Sequence, residues 1–220
     1  MFFKKMSAHS IHSFPIEVIM KNQKLTLLTV VSACLLALFG CSPSDSGGSS
    51  GGATLTGPLA DVQGDWVTSC YSTGSAYAKE AFTVSGTNVT SKADYYSDAS
   101  CSTSTYRYEG TATNLTIGDS VSFSDGTSGY KITYDVQTFN YTTLSSSFTD
   151  LFNTNNFCGI TWTMNTPSSV LGKNCSGTAI PPKNSTYYNL YNLMGNNLLL
   201  GNPETTTYPT GVTGVLYVKQ

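Results

Sequence analysis

Residues 59–220 are expected to form one all-β domain, an antiparallel up-and-down meander closed into a barrel, with a β-sandwich as the alternative. Three observations lead there. Short segments of period-two alternation follow one another, separated by clusters of Gly, Ser, Asn and Asp. No long helical periodicity occurs after residue 40. Pro167, Pro181, Pro182, Pro203 and Pro209 stand outside the alternating runs, as sheet interiors demand. About eight to ten short strands joined by tight turns call for closure, which hides edges that would otherwise pair with other chains.

In chain order, "GDWVTSCY" places Trp66, Thr68 and Cys70 on one face. "AKEAFTV" runs into the turn "SGTN", and "NVTSKADYY" returns from it; "TYRYEGTAT" follows the next turn. "NLTIGDSVSFS" reads as a tight hairpin about Gly118 and Asp119, since Gly at the first position suits a type II′ turn. "GYKITYDVQTF" sets Tyr130, Ile132, Tyr134 and Val136 on one side. The one helical interruption is expected near 147–153, where "SSSFTDLFN" offers a Ser or Thr cap before Phe148, Leu151 and Phe152. "FCGITWTM" is a further strand candidate, "YYNLYNLMGNNLLLG" a hairpin turning at Gly195 to Asn197, and "GVLYVK" the closing strand.

The N-terminal part has a different organisation. Lys21 and Lys24 precede an apolar run from Leu25 to Phe39, a length typical of an export signal and shorter than a membrane-spanning helix. Leu38, Phe39, Gly40 and Cys41 resemble the lipobox of bacterial lipoproteins, in which the cysteine is lipid-modified and becomes the mature N-terminus. Residues 20–40 are thus expected to be a lipoprotein signal peptide, with translation starting at Met20 and residues 1–19 an upstream mis-start. From Cys41 to residue 58 the chain is a Ser- and Gly-rich tether, expected to hold a soluble domain at a bilayer without crossing it. The resemblance implies a bacterial envelope location. Ser42 rather than Asp after the cysteine implies the outer membrane.

Charge and cysteine usage narrow the chemistry. Charged residues make up 11% of the chain, and beyond residue 40 seven basic residues stand against twelve acidic ones, so no basic patch invites nucleic acid. With Cys34 in the signal and Cys41 lipidated, Cys70, Cys101, Cys158 and Cys175 are left, an even number in an oxidising compartment. Four cysteines allow three pairings. Neighbour pairing, Cys70 with Cys101 and Cys158 with Cys175, suits a meander best. Five Asn-x-Ser/Thr sequons, at Asn88, Asn114, Asn140, Asn174 and Asn184, are what chance gives in so Asn-, Ser- and Thr-rich a chain.

Gly64, Asp65 and Trp66 match the GxW signature that opens lipocalin-like barrels. Lys219, near the C-terminus, stands where a lipocalin would carry an arginine against that tryptophan. The resemblance implies a barrel that holds a small apolar or amphipathic ligand. The contrasting expectation is an adhesin-like or structural envelope protein whose barrel is filled with side chains.

Candidate site residues are few. His9 and His12 are the only histidines, which removes Ser-His-Asp and Cys-His machinery and His-ligated zinc from the domain; no CxxC spacing suggests another metal, and no cofactor is expected. Glu80, Glu109 and Glu204 are the only glutamates after the leader and nothing pairs them for acid–base work, so a non-catalytic protein is expected. Glu80 shares a face with Phe82 and Val84 and points inward if they do. Arg107, the only arginine, points inward on a neighbouring strand if Tyr106 and Tyr108 point out, and the two are expected to form a polar pair in the core or in a ligand cavity. All fourteen tyrosines follow the tether, and the adjacent pairs Tyr95–Tyr96 and Tyr187–Tyr188 must put one ring on each face of a strand.

Overall fold

The computed structural model describes residues 55–123 and 126–220. The leader, Cys34, Cys41 and the tether before Leu55 lie outside the described residues. The elements are α1 (Pro58–Asp61), β1 (Gly64–Thr68), β2 (Tyr71–Ser72), β3 (Tyr77–Ser85), β4 (Asn88–Tyr96), β5 (Ser104–Ser122) and β6 (Ser128–Thr143). They continue with α2 (Ser146–Thr154), a 3-10 turn (Phe157–Gly159), β7 (Ser168–Ser169), β8 (Asn174–Cys175), β9 (Thr178–Ala179), β10 (Thr186–Met194), β11 (Asn197–Gly201) and β12 (Val212–Lys219).

Eight of these strands close an antiparallel barrel in the order β1, β12, β11, β10, β6, β5, β4, β3, which returns to β1. Strand β1 makes the closure. Its Trp66 lies opposite Lys219 on one side and Phe82 on the other, so neither long edge of the sheet is left open and the sandwich alternative is excluded. Two of the expected hairpins form as two-residue turns, Ser85 opposite Asn88 and Met194 opposite Asn197. Each begins with a glycine at positive φ, Gly86 at 60° and Gly195 at 61°, a conformation that costs an L side chain energy and glycine little.

The expected hairpin about Gly118 and Asp119 does not form. β5 runs straight through it: Ile117 pairs with Ile132 and Ser120 with Tyr130, so β5 carries one residue more than β6 over that interval. The feature is a β-bulge, which bends a long strand around the barrel. The chain reverses a few residues later, where the Phe123 N–H donates to the Thr127 carbonyl at 2.8 Å and the Gly126 N–H to the Phe123 carbonyl at 3.1 Å.

"FCGITWTM" is likewise not a strand. Cys158 has φ 55°, outside the β region, inside the 3-10 turn. Beyond it the Asn153 side chain accepts from the Trp162 N–H at 2.7 Å and donates to the Trp162 carbonyl at 3.0 Å, engaging the backbone groups that a strand neighbour would use. The helix forms as expected, with the Ser145 hydroxyl accepting from the Phe148 N–H at the cap.

The barrel ends differ. At one end α1 packs under Trp66, whose indole N–H donates to the Val62 carbonyl at 2.9 Å. At the other, α2, the 3-10 turn and the segment carrying β7 to β9 fold over the opening. β7 pairs with β6 at Asn140 and Tyr141, beyond the stretch of β6 that β10 occupies. Both disulfides serve this second end. Cys70–Cys101 ties the β1–β2 link to the β4–β5 loop, and Cys158–Cys175 ties the 3-10 turn to β8.

Candidate ligand cavity

Alternation along the barrel strands decides which side chains meet inside. On β3 these are Ala78, Glu80, Phe82 and Val84, of which Ala78 and Glu80 are 0% and 5% exposed. The interior divides into two parts. Toward the α2 end it is filled: Tyr95 stacks on Tyr106 with ring centroids 4.4 Å apart, and Tyr108, Tyr141, Phe152 and Trp162 complete a continuous aromatic cluster. Offset stacks and edge-to-face contacts such as Phe152 against Trp162 are the arrangements aromatic quadrupoles favour.

Toward the α1 end the side chains are smaller and a cavity of about 180 Å³ remains. Val84, Val89, Ala112, Leu115, Ile132 and Leu198 supply its apolar wall. Tyrosine rings complete it: Tyr134 stacks on Tyr187 at 5.9 Å and Tyr130 on Tyr191 at 5.5 Å, and Tyr134, Tyr187 and Tyr191 line the space. Burial pushes the Tyr187 phenol up to about 12, and Tyr134 higher still.

Glu80 stands in the cavity wall. One carboxylate oxygen accepts the Tyr71 hydroxyl and the other the Tyr217 hydroxyl, while the Glu80 backbone N–H donates to Thr68 Oγ1 at 2.8 Å. The clasp joins β2, β3, β1 and β12 across the closure. Burial first, then the neighbouring Glu80 charge, push the Tyr71 and Tyr217 phenols well above their ordinary range. Among the described residues no cation lies within ion-pair distance of Glu80.

Arg107 is not its partner, which corrects the expected pair. Tyr106 and Tyr108 are the inward residues, 6% and 7% exposed, so Arg107 projects outward. There its Nε meets Asp94 Oδ1 at 2.5 Å, with Lys92 Nζ on the other Asp94 oxygen at 2.9 Å. The error has a physical origin. Tyrosine suits either face of a strand, so the string Tyr-Arg-Tyr leaves the direction open, and the aromatic core took both rings.

Other expected residues fall where the alternation put them. Trp66 is fully buried, Gly64 opens β1, and Lys219 Nζ sits 5.3 Å from the Trp66 ring centroid while donating to the Asp61 carbonyl. A cation does cover the tryptophan, supplied by lysine. Both tyrosine pairs split between faces. Tyr95 is in the core and Tyr96 under Lys79; Tyr187 is in the cavity and Tyr188 against Tyr208. The sequence reading missed Tyr71 and Tyr217 as the donors to Glu80. For Tyr217 a signal existed, since it is two residues from Lys219 and so shares its inward face.

The molecule is thus an all-β, closed eight-stranded barrel with a plugged end, two disulfides and a polar clasp in its cavity wall. No protein-family model matches the chain, and no curated protein matches it. Among the described residues no group of three or more His, Cys, Asp or Glu side chains is placed to hold a metal ion, and no helix is long and apolar enough to cross a membrane.

Proposed function

We propose that this chain is a lipid-anchored protein of the bacterial envelope, a non-catalytic binding module whose barrel holds one small apolar or amphipathic molecule. The cavity carries the reading. Its volume, about 180 Å³, is close to that of an engineered apolar cavity of about 150 Å³ that takes up benzene, and it is smaller than the roughly 300 Å³ at which drug-sized sites begin. The ligand is therefore about the size of a single ring or a short chain. Rigid tyrosine and aliphatic walls supply contact area, and the phenol and carboxylate groups can orient a polar end.

The contrasting reading, a structural or adhesin-like barrel, draws on the filled aromatic half around Tyr106 and Tyr141. Native mass spectrometry of the protein gently extracted from its host separates the two. A bound mass of small-molecule size is expected, and an empty barrel that also excludes added toluene would overturn the binding module. Membrane attachment through Cys41, and with it the signal peptide and the outer-membrane location, is tested by radiolabelled palmitate incorporation. Label is expected in the wild type and absent from Cys41→Ser; equal labelling removes the anchor.

A further inference from the structure

We infer that the cavity selects a cationic ligand, a small primary or substituted ammonium compound with an apolar body, and that Glu80 is its charge partner. The inference rests on the binding-module reading and adds the chemical class of the ligand.

Glu80 is 5% exposed and lines the cavity, yet both groups that bond its carboxylate are neutral phenols. A buried carboxylate is normally paired with a cation, because desolvation penalises an unpaired charge. Five of the seven basic residues after the leader are engaged elsewhere: Lys92, which also borders the cavity, and Arg107 share Asp94, Lys219 covers Trp66 at the barrel end, Lys79 lies by Tyr96 and Lys131 by Tyr208. Among the described residues none of the seven forms an ion pair with Glu80. Tyr71 and Tyr217 together use two of the roughly four acceptor positions that a carboxylate offers. The remaining acceptor capacity belongs to a group that forms part of a cavity wall.

The rest of that wall suits the same ligand class. Phe82, Tyr108, Tyr134, Tyr187 and Tyr191 line the cavity with Glu80. Aromatic faces attract a desolvated cation, and a carboxylate set among them supplies the countercharge that a neutral or anionic guest cannot use. An anionic guest would meet Glu80 as a like charge. A neutral hydrocarbon would fill the volume and leave the carboxylate without a cation.

The test compares benzylamine, toluene and benzoate, three single-ring probes of matched size, by calorimetric titration at neutral pH against the purified full-length protein and its Glu80→Gln variant. Benzylamine is expected to bind the wild type at least tenfold more tightly than toluene, with benzoate weakest. In Glu80→Gln the advantage of benzylamine over toluene, both measured on that variant, is expected to fall below about threefold, about 1.4 kcal/mol corresponding to each tenfold step. Benzylamine binding no tighter than toluene, or an advantage that survives in Glu80→Gln, overturns the cationic ligand and leaves the apolar cavity standing. Failure of all three probes overturns both. The ranking of benzylamine over benzoate in the wild type needs no variant, so it decides the matter even if Glu80→Gln does not fold.

Discussion

Trp66 concentrates several interactions in one side chain. It is fully buried, stacks 6.2 Å from Phe82, donates to the Val62 carbonyl and lies under the Lys219 ammonium. Truncating a buried tryptophan removes transfer energy and leaves a cavity, so Trp66→Ala is expected to cost about 3–5 kcal/mol in urea unfolding. Lys219→Ala, which removes only the partly exposed cation, is expected to cost about 0.5–1 kcal/mol. The pairing of tryptophan with a C-terminal cation was legible only through the resemblance carried by Gly64, Asp65 and Trp66, which implies a cation from the last strand against that ring; Trp66 stands at the middle of β1 and Lys219 at the end of β12. The Glu80 clasp was legible only in part: alternation turned the carboxylate inward, but its donors come from β2, two residues long, and from a strand 137 positions away. No local pattern reports such a meeting.

The elements that could be read from sequence are those in which alternation and turn chemistry agree. The β3–β4 and β10–β11 hairpins have both, with Gly86 and Gly195 at the turns. Where the two signals part, the reading failed. "IGDS" has the turn residues of a hairpin, yet the register on either side, Ile117 with Ile132 and Ser120 with Tyr130, favours one continuous bulged strand. "FCGITWTM" alternates well, but the Asn153 side chain from α2 takes up the Trp162 backbone groups and a disulfide fixes Cys158 to Cys175. That disulfide closes a loop of sequence separation 17, and Cys70–Cys101 one of 31, for which chain-entropy estimates give about 3 and 4 kcal/mol respectively. Limited proteolysis of Cys158→Ala/Cys175→Ala is expected to cut first within residues 157–180, with the barrel strands resisting. Cleavage no faster than in the wild type would mean that the aromatic plug holds the segment unaided.

For the molecule as a whole, the interior tyrosines set the response to alkali. An unfolded tyrosine loses its proton near pH 10, whereas burial holds Tyr187 at about 12 and raises Tyr95, Tyr106, Tyr108, Tyr141 and Tyr217 further. Above about pH 10 the unfolded chain therefore binds fewer protons than the folded one, and linkage makes stability fall as pH rises. The contribution is fully present below pH 10 and is lost as the pH climbs through the folded-state values. Urea midpoints are expected to be flat with respect to these groups up to about pH 9.5 and to drop steeply between about pH 10 and 12, with tyrosinate absorbance rising in step with unfolding. Tyrosinate absorbance that rises fully while the fold persists would contradict the burial of these rings.

The closure at β1 also has a kinetic side. Trp66 can meet Lys219 only after the whole domain has been made, and until Val212–Lys219 arrives the sheet ends in two unpaired edges, one on β1 and one on β11. Contacts between the two ends of a chain are entropically the slowest to form. A nascent or truncated chain thus passes through an open, edge-exposed state that is open to mispairing with its neighbours, and the final eight-residue strand is what brings that interval to an end.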